Sequence, residues 1–83
     1  MQLEFTRHAR DAMEKRAIHE DWVRRVAEHP RRMEPDRLDE DLEHRLAEIP
    51  EHGGRVLRVV LNVAVLPIRV VTVYFDRNMK GKL

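Results

Sequence analysis

Phe5, Ala9, Ala12, Met13 and Ala17 recur at helical spacing through an otherwise charged stretch, which places them on one stripe of a helix. Thr6 supplies a hydroxyl suited to capping the first turn, so the pattern predicts a helix over Thr6 to Arg16. Phe5, just before the cap, can fold back on the stripe, and Leu3 and Glu4 are left to form a short leading strand. A second stripe of Trp22, Val23, Val26 and Ala27 predicts a helix from His19 to Glu28. Pro30 stops it, because the residue before a proline is pushed out of the helical region. Two short antiparallel helices joined by a tight turn follow.

The next stretch, "PRRMEPDRLDEDL", carries two prolines and dense charge without periodicity and reads as a solvated connector. Leu38, Leu42, Leu46 and Ile49 are spaced for a helix, yet "EHRLAEI" alternates as a strand does. The strand is preferred, because Pro50 to Gly54 looks like a hairpin loop leading into a β-rich run, Arg55 to Asn62. A turn near Val65 to Pro67 precedes another run, Ile68 to Asp76. Alternation sets Leu57, Val59 and Leu61 on one face with Val71, Val73 and Phe75, the face that should receive the helices. The other face carries Val56, Arg58, Val60 and Asn62 beside Val70, Thr72, Tyr74 and Asp76, half polar and open. The expected fold is a single α+β domain over residues 1–83, with two N-terminal helices packed on a small antiparallel sheet of three to four strands.

A domain of 83 residues buries only about 60–65% of the surface its unfolded chain exposes. There is no cysteine to cross-link so small a core, and a reducing, cytoplasmic setting is the default. No apolar leader opens the chain, and Val56 to Val73 is interrupted by Arg58, Asn62, Pro67 and Arg69, so no membrane span is expected. Lys and Arg number 16 against 15 Asp and Glu, a net charge of +1, too little for a bulk field that attracts nucleic acid. The charge is nevertheless unevenly distributed. Residues 34–51 hold most of the acid, whereas from Gly53 onward Asp76 stands alone against Arg55, Arg58, Arg69, Arg77, Lys80 and Lys82.

Serine is absent, which excludes a serine nucleophile, and the histidines show no metal-ligand spacing. No metal or other cofactor is expected. His8 has an imidazole able to exchange protons near neutrality; a first-turn histidine bonding nearby backbone accounts for it equally. Arg16 lies about 12 Å further along the helix at 1.5 Å per residue, and both can border one groove. Arg58, Tyr74, Asp76 and Arg77 gather at the strand ends, with Lys80 and Lys82 in the tail. Such cations can hold a phosphodiester and Tyr74 can stack on a base or move a proton. The same residues also fit a cross-strand ladder on a solvated sheet face, with a frayed cationic tail beyond it.

Thr6, His8, Ala9, Met13, Arg16, Ala17, Ile18 and Pro30, followed by "GGRVLRVVLN" and "VVTVYFDRNMKGKL", resemble the signature of a family of small bacterial proteins described only as a domain of unknown function. Ala17 stands where that signature usually has glycine. The family is similar in layout to RelE-like and BrnT-like toxins of toxin–antitoxin systems, which cut mRNA with basic and aromatic side chains on an open sheet face. That resemblance implies a metal-independent endoribonuclease, and Arg58, Tyr74, Arg77 and Lys80 match the kind and place of residue such toxins use. The catalytic candidates are thus Arg58, Tyr74 and Arg77, with His8 and Arg16, carried by the unknown-function signature, lining the site; Lys80, Lys82 and Asp76 are the candidate RNA contacts. It implies RNA and a cognate antitoxin as partners. The alternative is a non-catalytic module that docks a protein on the open face or an edge strand, and an unpaired edge favours a homodimer under either reading.

Overall fold

In the computed structural model, which describes residues 1–83 throughout, the Thr6 hydroxyl accepts the Ala9 N–H at 3.0 Å and donates to the Val71 carbonyl at 3.1 Å. One side chain thus caps α1 (Arg7–Lys15) and ties its start to the sheet. At the other end the Ile18 N–H bonds the Met13 carbonyl at 2.8 Å and the Ala17 N–H bonds the Glu14 carbonyl at 3.3 Å. These are the paired bonds of a Schellman ending. Ala17 occupies its left-handed position at φ 53°, a conformation that glycine adopts without strain. The sharp reversal leads into α2 (Glu20–Glu28) and leaves Arg16 as the C-cap of α1.

The strands are β1 (Leu3–Phe5), β2 (Arg32–Pro35), β3 (Leu42–Ile49), β4 (Arg55–Asn62) and β5 (Ile68–Phe75). They form one sheet in the order β1-β5-β4-β3-β2. The leading strand, the strand reading of residues 43–49 and the β4 boundaries are as the pattern predicts. The sheet itself corrects two expectations. It has five strands rather than three to four, and it is mixed, because β1 runs parallel to β5 whereas every other pair is antiparallel. The added strand, β2, lies within the expected connector; three of its four residues are exposed, so it has no buried alternation for a pattern to register.

A third correction concerns facing. Val60 pairs with Thr72 but Leu61 pairs with Val70, so β5 bulges at Val71 and the alternation reverses there. Val70, rather than Val71, enters the core and is fully buried. The core lies between the helices and one sheet face: Ala9, Ala12, Met13, Trp22, Val23, Val26 and Ala27 meet Ile49, Leu57, Val59, Leu61, Val70 and Val73. Each fully buried Leu or Val there contributes about 1.5–3 kcal/mol. α1 rests on β5 and α2 crosses β3 and β4. The opposite face is less open than its alternation suggests, since Leu46, Val56 and Val60 are buried there as well. No helix is long and apolar enough to cross a membrane.

Candidate functional site

Arg58 rises from the middle of that second face, cross-strand from Leu46 on β3 and Tyr74 on β5, and its side chain is only 11% exposed. Its Nε and Nη2 donate to Asp76 Oδ2 at 3.0 and 2.9 Å. Its Nη1 donates to Glu34 Oε1 at 3.1 Å and to His44 Nδ1 at 2.8 Å. An arginine only donates, so His44 Nδ1 presents its lone pair and Nε2 carries the proton, which points at Asp36 Oδ1, 2.7 Å away. Burial alone pulls the Arg58 guanidinium towards neutrality; the bonds it donates to Asp76 and Glu34 outweigh that and leave the pKa raised. The His44 bond, with the Asp39 and Leu38 N–H groups, holds Asp36 below the ordinary carboxylate range. Asp76 in turn accepts the Asn78 N–H at 3.0 Å through Oδ1. The network therefore fixes the short 3-10 turn Arg77–Met79 that follows β5.

That turn carries Arg77 to the helix side of the sheet's end, where four of the free cations collect. A hollow of about 440 Å³ is lined by Arg55, Phe75, Asp76, Arg77 and Lys80, and an adjoining one of about 320 Å³ by Arg16, Arg55, Phe75 and Arg77. Arg10, Arg24, Arg25, Arg31, Arg32, Arg45, Arg58 and Arg69 each have a carboxylate within salt-bridge distance. Arg16, Arg55, Arg77 and Lys80 have none; neither have Arg7, Lys15, Arg37 and Lys82, which line neither hollow. The one carboxylate in the hollows, Asp76, is already held by Arg58. Continuing the β4–β5 register past Leu57 and Phe75 sets Arg55 opposite Arg77, and like charges facing each other across a ladder are destabilising. Uncompensated cations gathered around a concavity are an arrangement that an anion relieves.

Aromatic rings back this rim. The Arg55 guanidinium lies over the Phe75 ring, 4.5 Å from its centroid, while Arg55 Nη1 donates to His52 Nε2 at 3.0 Å. His52 stacks on Phe75 at 4.9 Å. Gly53, in the left-handed region at φ 67°, lets the chain turn from His52 into β4 within two residues.

Of the residues singled out in the sequence, Arg16, Asp76, Arg77 and Lys80 converge on the hollows, and Arg58 reaches them through Asp76. Tyr74 lies half-buried beside Arg58 on the other face. His8 is exposed on α1 and Lys82 in the tail, and neither lines either hollow. Arg55, Phe75 and His52 escaped sequence reasoning. Phe75 reads there as core, and His52 as part of a turn. The signal for Arg55 was the hairpin register, which depends on the bulge at Val71.

The chain belongs to the family described as Domain of unknown function (DUF4258), whose model matches residues 5–75. No curated protein and no solved structure matches the chain.

Proposed function

We propose that this family member is a toxin-like, metal-independent endoribonuclease that takes RNA at the Arg16–Arg55–Arg77–Lys80 rim. One observation carries the reading: four cations without carboxylate partners surround two adjoining hollows in a chain that pairs most of its arginines. Cations so placed hold a phosphodiester and stabilise the charge that builds on its non-bridging oxygens when the adjacent 2′-hydroxyl attacks phosphorus. The 5′-oxygen leaves with a proton from solvent. The proton of the 2′-hydroxyl passes to His52 Nε2, whose lone pair faces Arg55 at 3.0 Å and is released when the Arg55 guanidinium, still over Phe75, turns in its own plane to donate to the phosphate. Arg58 is then a positioning residue that anchors Asp76 and, through it, the turn bearing Arg77.

The test is tightly induced expression in a bacterial host, with mRNA ends mapped by primer extension. Growth arrest with new mRNA ends that disappear in Arg77→Ala and Arg55→Ala supports the reading. Intact mRNA in cells holding soluble protein refutes it.

A second reading, a non-catalytic module that docks a protein, rests on the edge strand β2. Met33 there is 54% exposed and borders a groove with Leu42 and Val63. Pro35 removes one ladder donor from that edge, so this reading places the partner's contacts on side chains.

A further inference from the structure

Four rings cluster beside the cationic hollows. His19 lies 4.3 Å from Trp22, Trp22 lies 5.4 Å from His52, and His52 stacks on Phe75 at 4.9 Å, while Trp22 meets Phe75 edge-on at 6.3 Å. The Arg55 guanidinium lies over Phe75 at 4.5 Å, on the side where it also bonds His52. The rings come from three separate places, the start of α2, the turn before β4 and the end of β5. Aromatic side chains make up only 5% of the chain, yet Trp22 and Phe75 both stand in this cluster. Core packing accounts for Trp22 and for the part of Phe75 that rests against the core. Trp22 is buried, whereas His52 and Phe75 are half-buried and His19 is exposed.

We infer that the edge of this cluster that lines the hollow, Phe75 with the Arg55 guanidinium over it, is a platform for an unpaired nucleobase, so that the ligand is single-stranded RNA. The inference rests on the RNA reading above and narrows it. Base faces are hidden within a duplex, whereas an unpaired base stacks on aromatic rings or on the guanidinium plane of an arginine. A base lying on the face of Arg55 leaves its flanking phosphates to the edge of that guanidinium and to Arg16, Arg77 and Lys80, which line the same hollows. The larger hollow, about 440 Å³, falls within the range of sites that hold small ligands, about 300–1,000 Å³.

The experiment is fluorescence anisotropy with a short labelled 2′-O-methyl RNA, which binds but lacks the hydroxyl needed for cleavage. The same strand annealed to its complement and an abasic strand of equal charge serve as comparisons. The single strand is expected to bind at least about tenfold tighter than either, in keeping with stacking worth about 1–3 kcal/mol per base. Phe75→Leu, which keeps an apolar side chain against the core, should bring the single strand to the level of the abasic one and leave the abasic strand unchanged. Arg55→Lys keeps the charge and removes the planar layer, and it should act in the same direction even if Phe75→Leu unfolds. Equal binding of single, duplex and abasic strands, all weakened by Arg77→Ala, overturns the stacking platform and leaves the phosphate site standing. Absence of binding by every strand, or binding indifferent to Arg77→Ala, overturns both readings.

Discussion

Replacing Arg58 with alanine distinguishes a structural arginine from a free catalytic one. The side chain is 11% exposed and its principal partner, Asp76, 14%, so the variant leaves a largely buried carboxylate without its cation. Removing one member of a buried pair costs about 3–5 kcal/mol. The lower end applies here, because Asp76 keeps the Asn78 N–H and Glu34, 33% exposed, can turn to water. A loss of about 3 kcal/mol lowers Tm by roughly 12–24 °C at about 4–8 °C per kcal/mol for a domain of this size. Total stability at roughly 0.05–0.15 kcal/mol per residue comes to about 4–12 kcal/mol for 83 residues, so the variant is folded when cold and strongly weakened when warm. An arginine free on the surface would cost no more than about 0.5 kcal/mol. Thermal unfolding followed by circular dichroism separates the two. Arg58→Lys should fall between wild type and Arg58→Ala, keeping charge while losing the paired bond to Asp76. A Tm within about 4 °C of wild type for Arg58→Ala, the shift expected of a surface arginine, would show that the network does not hold the turn in place, and would restore Arg58 as a candidate phosphate ligand.

Ala17→Gly should raise stability by about 0.5–1 kcal/mol, because a left-handed alanine costs about 1–2 kcal/mol and the extra freedom of unfolded glycine returns part of it; calorimetry showing no gain would contradict the φ of 53°. Arg77→Glu should raise the Tm of the ligand-free protein at low salt, by replacing a repulsion across the strand end with an attraction to Arg55, and should abolish RNA binding in the same preparation. Glu51 is held at a pKa of about 2 by its hydrogen bonds from Arg25. A depressed carboxylate stabilises the fold fully above its ordinary 4.5 and loses that contribution as pH falls towards about 2. Urea midpoints of wild type should therefore decline across that interval more steeply than those of Glu51→Gln, and parallel curves would show that the ion pair adds nothing.

The helices and long strands were legible because their information is local. The Thr6 cap, the two apolar stripes, Pro30 and the alternation in Arg55–Asn62 each act within a few residues, and the elements fall where those signals put them. Strands β1 and β2 are set differently. Their three and four residues are too few to carry a period, and their place in the sheet comes from the edges that β5 and β3 offer them. The candidate site shows the same division. The sequence by itself determined a surplus of cations after Gly53, an arginine at the end of the first helix and aromatic residues near both. Which cations are free was decided by the tertiary structure. The bulge at Val71 inserts one residue into β5, shifts the register by one and sets Arg55 against Arg77 instead of Asp76. Asp76 then turns to the other face to neutralise Arg58. Pairing across a sheet depends on where two strands meet rather than on the composition of either, and a single extra residue decides which charges are matched and which are left facing solvent.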